Sequence, residues 1–372
     1  MENMILPDFQ PVPFPAPLWL LKTLLVLGFY LHAVPMNVAL MGGLVSALYL
    51  LKGKADPQSN AHRLGHSLAL SLPFFVSFAI TQGIVPLLFL QLVYGPLFYT
   101  SSILMGVPWI LLLVALIIGY YGLYAYKLRH QQIGSRAPWM LMGVSILFLG
   151  IAFLFTNNMT LMLTPEKWPA VVHQDQVGFF FNLTEPQLIP RYLHFVFAAV
   201  AVTGLAIGCF GLYLYKRDND YASWLIQQGA GLYLIITLVQ VGIGGWFLMS
   251  LPKAQMMSFM GQDTLGTAVF AGSMILSLVS IVTMAMAWKD GKPGMFKIGL
   301  GSALLVILLM VQMRHLLREY AVSSFFAPQN VPVETQWDLL IVFIVSAIGL
   351  IIYLGWLLKI VWNAFRHNPQ HT

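Results

Sequence analysis

Residues 188–217 read LIPRYLHFVFAAVAVTGLAIGCFGLYLYKR, and this stretch decides the fold. It opens with Arg191 and His194 and closes on the basic pair Lys216 and Arg217. Between them runs an apolar segment with small residues, long enough to cross a bilayer as one helix. A histidine one turn inside the end of such a helix is costly unless something uses it.

The rest of the chain has the same character. Of its 372 residues 59% are hydrophobic and only 9% charged, and mean hydropathy is +0.79. Soluble domains carry about a quarter charged residues, so the composition is that of an integral membrane protein. The net charge of +6 points to membrane topology and not to nucleic acid. Cys209 is the one cysteine, which excludes an internal disulfide and the C-x-x-C-H attachment of c-type heme. The opening MENMILPDFQPVPFPAP is proline-rich and acidic; it lacks the basic start of a cleavable signal peptide.

Nine apolar spans are expected near 17–51, 68–92, 99–126, 137–163, 190–215, 222–250, 264–288, 295–318 and 336–363. Together they predict one all-α, polytopic transmembrane domain covering 1–372. The first span is too long for a simple crossing: 35 helical residues reach about 52 Å against a core of about 30 Å. Its first turns, around Trp19 and Lys22, are expected in the interface. Thirteen of the 19 basic residues fall in one set of connections: Lys52, Lys54, Arg63, Lys127, Arg129, Arg136, Lys216, Arg217, Lys289, Lys292, Lys297, Lys359 and Arg366. By the positive-inside rule that set is cytoplasmic. The N-terminus, with segment 1–16, is then outside and the C-terminus inside. The largest outer loop, 164–189, mixes prolines, acids, aromatics and His173; such loops bind ligands or cap helix ends.

Helical rise places three histidines at one depth. His32 lies about 28 Å above Leu51 and His315 about 27 Å above Lys297, both near the outer face. His194 sits at the outer end of its own span, and Glu319 lies one turn beyond His315 on the same face. Met274 lies about 15 Å in from the outer end of span seven. Neutral imidazole and thioether are heme-iron ligands, so His194, Met274, His32 and His315 are the candidate iron ligands; histidines that bond a carbonyl at the interface and a methionine that only packs are the alternative. Arg191, Arg314 and Arg318 are the residues able to hold heme propionates in a bidentate fork; pairing with Glu319 or lipid phosphate is the alternative. His62, His66, His130, His367 and His371 read as interfacial side chains. The i,i+4 pair His62/His66 could hold a metal, but no carboxylate or cysteine accompanies it.

These residues carry a resemblance. The chain resembles subunit I of the cytochrome bd quinol oxidases over most of its length. RYLH and LYLYKRD, with His194 and Asp218, are similar to the helix that carries the low-spin heme b histidine in that family. His32, Val34-Pro35 and the terminal Leu51-Lys52-Gly53-Lys54 are similar to its first span, whose histidine binds a high-spin heme at the oxygen site; the His to Val-Pro spacing is two residues shorter here. FAGSMI resembles the segment with the low-spin methionine ligand, which implies Met274, offset by one residue. Arg318, Glu319 and Tyr320 lie where the family has a heme-ligating glutamate followed by Gly-Arg-Gln-Pro-Trp.

The departures define the expected role. AVSSFF follows Tyr320 in place of that signature, and the family's long quinol-binding loop is reduced to SLPKAQMMSFMGQDTLG. The third span holds no acid; Trp109 and Ile117 lie in the approximate places of the glutamates that feed protons to the oxygen site. The resemblance therefore implies a heme b subunit, with one to three hemes, of a respiratory complex in a bacterial inner membrane. Such a subunit would pass electrons between quinone or quinol and an outward-facing partner, plausibly a c-type cytochrome. His194 and Met274 would serve one heme, and His32 with His315 or Glu319 the others. A terminal oxygen or small-gas reductase and a heme-free membrane anchor are the other two readings.

Overall fold

The structure is a computed structural model describing residues 12–367. Residues 1–11 of the expected outer segment, and His371, lie outside the described residues. Long helices carry the chain: α1 (Leu18–Lys52), α2 (Asn60–Met105), α3 (Val107–Ile133), α4 (Ala137–Met162), α6 (Leu188–Leu214), α7 (Asn219–Met249), α9 (Thr264–Asp290), α10 (Pro293–Val322) and α11 (Trp337–His367). Two short helices sit in connections, α5 (Trp168–His173) and α8 (Lys253–Met257). Among the described residues there is no strand, only the isolated bridge between Phe14 and Val333. Eight helical stretches are long and apolar enough to cross a membrane. One of them, Val107–Met162, contains α3, a turn at Gly134–Arg136 and α4. The nine spans expected from the sequence treat α3 and α4 as separate crossings.

One boundary differs. The sequence places a break between residue 92 and residue 99, whereas α2 runs on to Met105. Pro96 removes one backbone donor, and Tyr94 leaves helical geometry at φ −126°, ψ 28°. The result is a kink, after which the helix resumes. The true break is Gly106, at φ 57°, a conformation that costs glycine nothing. Pro108, in the first turn of α3, suits a helix start. The loop expected at 164–189 docks on this turn. Val107 N–H donates to the Gly178 carbonyl at 2.9 Å, and Gly178 N–H donates to Leu104 at 3.0 Å. The loop has its own buried anchors. Trp168 donates its indole N–H to Leu161 at 3.0 Å, and Asn182 N–H donates to Asn157 Oδ1 at 2.8 Å.

The described chain forms two compact units. The smaller joins residues 12–23 to residues 328–367. There Phe14 N–H donates to Pro332, and Glu334 and Gln336 N–H donate to Phe14 and Pro15. None of the apolar window of α11 is buried, and Leu339, Val342, Val345 and Ile352 are all exposed. The larger unit, Leu24–Ala327, holds the bundle core. Leu72, Leu141, Leu225 and Tyr126 mark one part of that core, and Phe296, Met284 and Ile226 another.

α6 and α7 form the most extensive helix pair. Lipid offers apolar side chains no reason to leave it, so membrane helices associate through close packing of small residues. Here the backbones touch. A Cβ on Gly229 would lie 2.5 Å from the Gly204 carbonyl oxygen and 2.6 Å from Gly208 N. A Cβ on Gly204 would lie 2.8 Å from the Gly229 carbonyl oxygen. Gly229→Ala is therefore expected to cost about 1–3 kcal/mol through overpacking. Gly245→Ala, on the same helix but with open space around it, should be neutral or slightly stabilising. Thermal unfolding of both variants in detergent checks the contrast.

Candidate functional site

A group of ionisable side chains of the larger unit gathers where α1, α2, α6, α7 and α10 approach one another. From α1 comes His32, whose Nδ1 lies 2.8 Å from the Ala79 carbonyl oxygen on α2. A carbonyl only accepts, so Nδ1 carries the proton and, in the neutral ring, Nε2 keeps its lone pair. Gly83 makes the docking possible: a Cβ there would lie 2.8 Å from His32 Cε1 and 2.9 Å from Nδ1.

α6 contributes Arg191 and His194, one turn apart, and Phe247 of α7 serves both. The Arg191 guanidinium stands 5.0 Å from the Phe247 ring centre, and the His194 and Phe247 ring centres are 6.3 Å apart. Arg191 donates through Nη2 to Gln187 Oε1 at 2.8 Å, while its Nε is buried without a hydrogen-bond partner. The Nδ1 and Cε1 atoms of His194 face Gly244, and this Nδ1 is also buried and unpartnered. Two orphaned polar nitrogens on one face of one helix call for an explanation.

α10 completes the group with two i,i+4 pairs, Arg314/Arg318 and His315/Glu319. His315 Nε2 lies 3.8 Å from Glu319 Oε1, and Tyr94 OH donates to the same oxygen at 2.9 Å. The Arg318 guanidinium lies 5.2 Å from the Tyr94 ring centre. Arg314 is held between two rings, 4.1 Å from Phe29 of α1 and 5.8 Å from Phe195 of α6. Arg191, Arg314 and Arg318 lie within electrostatic reach of one another, and Arg314 of His32. Arg191 and Arg318 are each only 5% exposed.

The charge count in this group is unequal. Glu185 faces Arg191 but is already bonded to Lys167 at 2.6 Å. Among the described residues four cations, Lys167, Arg191, Arg314 and Arg318, stand against two carboxylates, Glu185 and Glu319. Buried charge favours pairing, and among the described residues positive charge exceeds negative by about two. Seven of the eight residues named from the sequence belong to this arrangement. Met274 does not share in it: it is 43% exposed on α9. The sulfur turned toward α9 is that of Met313 on α10, 3.8 Å from the buried Ser273 hydroxyl.

Sequence reasoning missed Tyr94, Phe29, Phe247, Gly83 and Glu185. Tyr94 falls between the expected second and third spans, and none of the aromatics has a spacing that separates it from ordinary membrane packing. Among the described residues no three His, Cys, Asp or Glu side chains converge as around a bare metal ion. A porphyrin-held iron needs only one or two protein ligands, and the histidines present can supply them. No protein-family model and no curated protein matches this sequence.

Beside the group, Asp263 links the ends of α9 and α10. Its carboxylate caps α9 by accepting from Gly266 N–H at 2.6 Å, and it accepts from Tyr320 OH at 2.7 Å. The Gly266 N–H and then the Tyr320 hydroxyl hold its carboxyl below the usual aspartate range. A depressed value in the folded state means that the stabilisation is present above the unfolded value, about 3.9, and is lost as pH falls through the folded one. The melting temperature of wild type should exceed that of Asp263→Asn at neutral pH. The gap should close as pH is lowered below about 4, as a pH series of thermal melts would record.

Proposed function

We propose that this chain is a heme b-binding subunit of a respiratory complex. It would pass electrons between quinone or quinol and an outward-facing redox partner of the c-type cytochrome class. The observation that carries the proposal is a group of three arginines, Arg191 and Arg318 buried and Arg314 half-buried, with an excess of about two positive charges among the described residues, beside His32, whose Nε2 keeps its lone pair, and His194, whose Nδ1 has no protein partner. A heme brings two propionate carboxylates, and guanidinium matches carboxylate in geometry as well as charge. The proposal places nine crossings in a bacterial inner membrane, the N-terminus outside and the site in the outer leaflet.

The side-chain roles follow from the contacts. His32 donates one ring nitrogen to the Ala79 carbonyl and keeps the other for iron, the arrangement usual for a ligating histidine. His194 is the second imidazole ligand. His315 and Glu319, already side by side, are the candidates for a third center. Met274 enters as a ligand on the resemblance alone. Arg191, Arg314 and Arg318 hold propionates, and Phe29, Phe195 and Tyr94 keep water from the guanidinium groups. Bound heme would supply a one-electron couple, whose potential the protein sets through ligand identity, burial and neighbouring charge. A cluster of fixed cations favours the more negatively charged, reduced state. The absence of any acid in α3 favours electron transfer over oxygen reduction, which consumes protons.

Spectra of the purified chain and of two variants test the reading. A pyridine hemochrome and a reduced-minus-oxidised spectrum of the purified chain should show b-type bands, and their absence would overturn it. His194→Ala should lower heme content, whereas a heme-free anchor would be indifferent to that change. Arg318→Gln, which removes one charge-assisted contact of about 1.5–3 kcal/mol, should weaken heme retention about 10–150-fold. Carbon monoxide should leave the reduced spectrum unchanged; a shift would favour a gas-reducing site at His32.

A further inference from the structure

At the other end of α2 lies a second histidine group that the proposed function does not use. His62 and His66 stand one turn apart near the start of α2, and His130 lies in the last turn of α3. The His66 and His130 ring centres are 4.6 Å apart with planes at 57°. His66 Nδ1 lies 2.9 Å from the Tyr126 hydroxyl. The Nδ1 atoms of His62 and His130 are buried and have no hydrogen-bond partner. His62 and His130 are both within electrostatic reach of His66.

We propose that His66 and His130 form a binding site for a zinc-class divalent cation, with His62 beside them, and that the bound ion ties α2 to α3. Two imidazoles on one tetrahedral ion, with nitrogens about 2.0 Å from it, place their ring centres about 5 Å apart. The observed pair stands close to that spacing before any ion is added. Tyr126 supplies the contact that a metal-bound histidine usually makes through its other nitrogen. A hydrogen bond from Nδ1 to the phenol oxygen leaves Nε2 free for metal. The Nδ1 of His130 is buried without a partner, and a ligand bound there would satisfy it. Three imidazoles with no carboxylate select a d-block ion over magnesium or calcium.

The electrostatics permit a cation. Arg63, Lys127 and Arg129 are exposed, so water and salt screen them. His130 sits at the C-terminal end of α3, where the helix dipole favours positive charge. Among the described residues no three ligand side chains already share a common point. The pair is therefore the core of the site, and water or a turned His62 fills the remaining positions.

The test uses the full chain in detergent, without a polyhistidine tag, and zinc ion as probe. Isothermal titration should show one saturable ion per chain, and the thermal melt should move upward with zinc and not with calcium. Zinc-edge absorption fine structure of that sample should show at least two imidazoles. His66→Gln and His130→Gln should each weaken binding by more than about tenfold, and Tyr126→Phe by about 10–100-fold. Melts without zinc establish that the variants fold. No saturable binding, an oxygen-only shell, or unchanged affinity in both histidine variants would overturn the proposal. If either variant misfolds, the shell measured on wild type decides.

Discussion

A bilayer does not solvate an isolated charge, and that constraint shapes the upper half of this bundle. Arg191, Arg314 and Arg318 come from two helices; Arg191 and Arg318 are buried and Arg314 is half-buried. Each has found the partner a water-poor site allows: Phe247 and Gln187 for Arg191, Phe29 and Phe195 for Arg314, Tyr94 for Arg318. Aromatic faces attract a guanidinium without cancelling its charge. Among the described residues the group is thus well packed and still carries more positive than negative charge. The kink that brings Tyr94 to Glu319, and the loop that brings Glu185 to Arg191, are both arranged about this group.

The same constraint explains what could be read from the sequence. Apolar runs and the bias of basic residues locate the membrane helices because lipid enforces both over many residues at once. Helical rise then places His32, His194 and His315 at one level, since depth depends only on counting. Which helix faces which is a different matter. His32 meets Ala79 because Gly83 leaves room, and nothing in the pattern around Gly83 marks it. The break at Gly106 was hidden because Pro96 is the stronger local signal, yet a proline kink survives inside a buried helix when its neighbours hold it. Met274 shows the converse. Its depth is plain from the sequence, whereas the face of α9 it occupies is fixed by packing with α10.

His130 makes the same point at the opposite end. The His62/His66 pair is visible as a spacing on one helix and carries little weight alone. Its partner lies more than sixty residues away in sequence and becomes a neighbour only because α3 returns antiparallel to α2. Interfacial histidines and ligating histidines have the same residue type and the same depth. They differ in whether a second ring stands opposite.

The glycine seam between α6 and α7 bears on how such a site keeps its shape. The contact at Gly204, Gly208 and Gly229 is made of main-chain atoms. No rotamer is frozen when it forms, so side-chain entropy places no charge on the association. No rotamer can relax it afterward. Arg191 and His194 on one helix, and Gly244 and Phe247 on the other, are carried by a pair whose register is set by backbone shape. If the proposed heme is held there, its surroundings would have little freedom to rearrange when an electron arrives or leaves, and the reorganisation energy would be small.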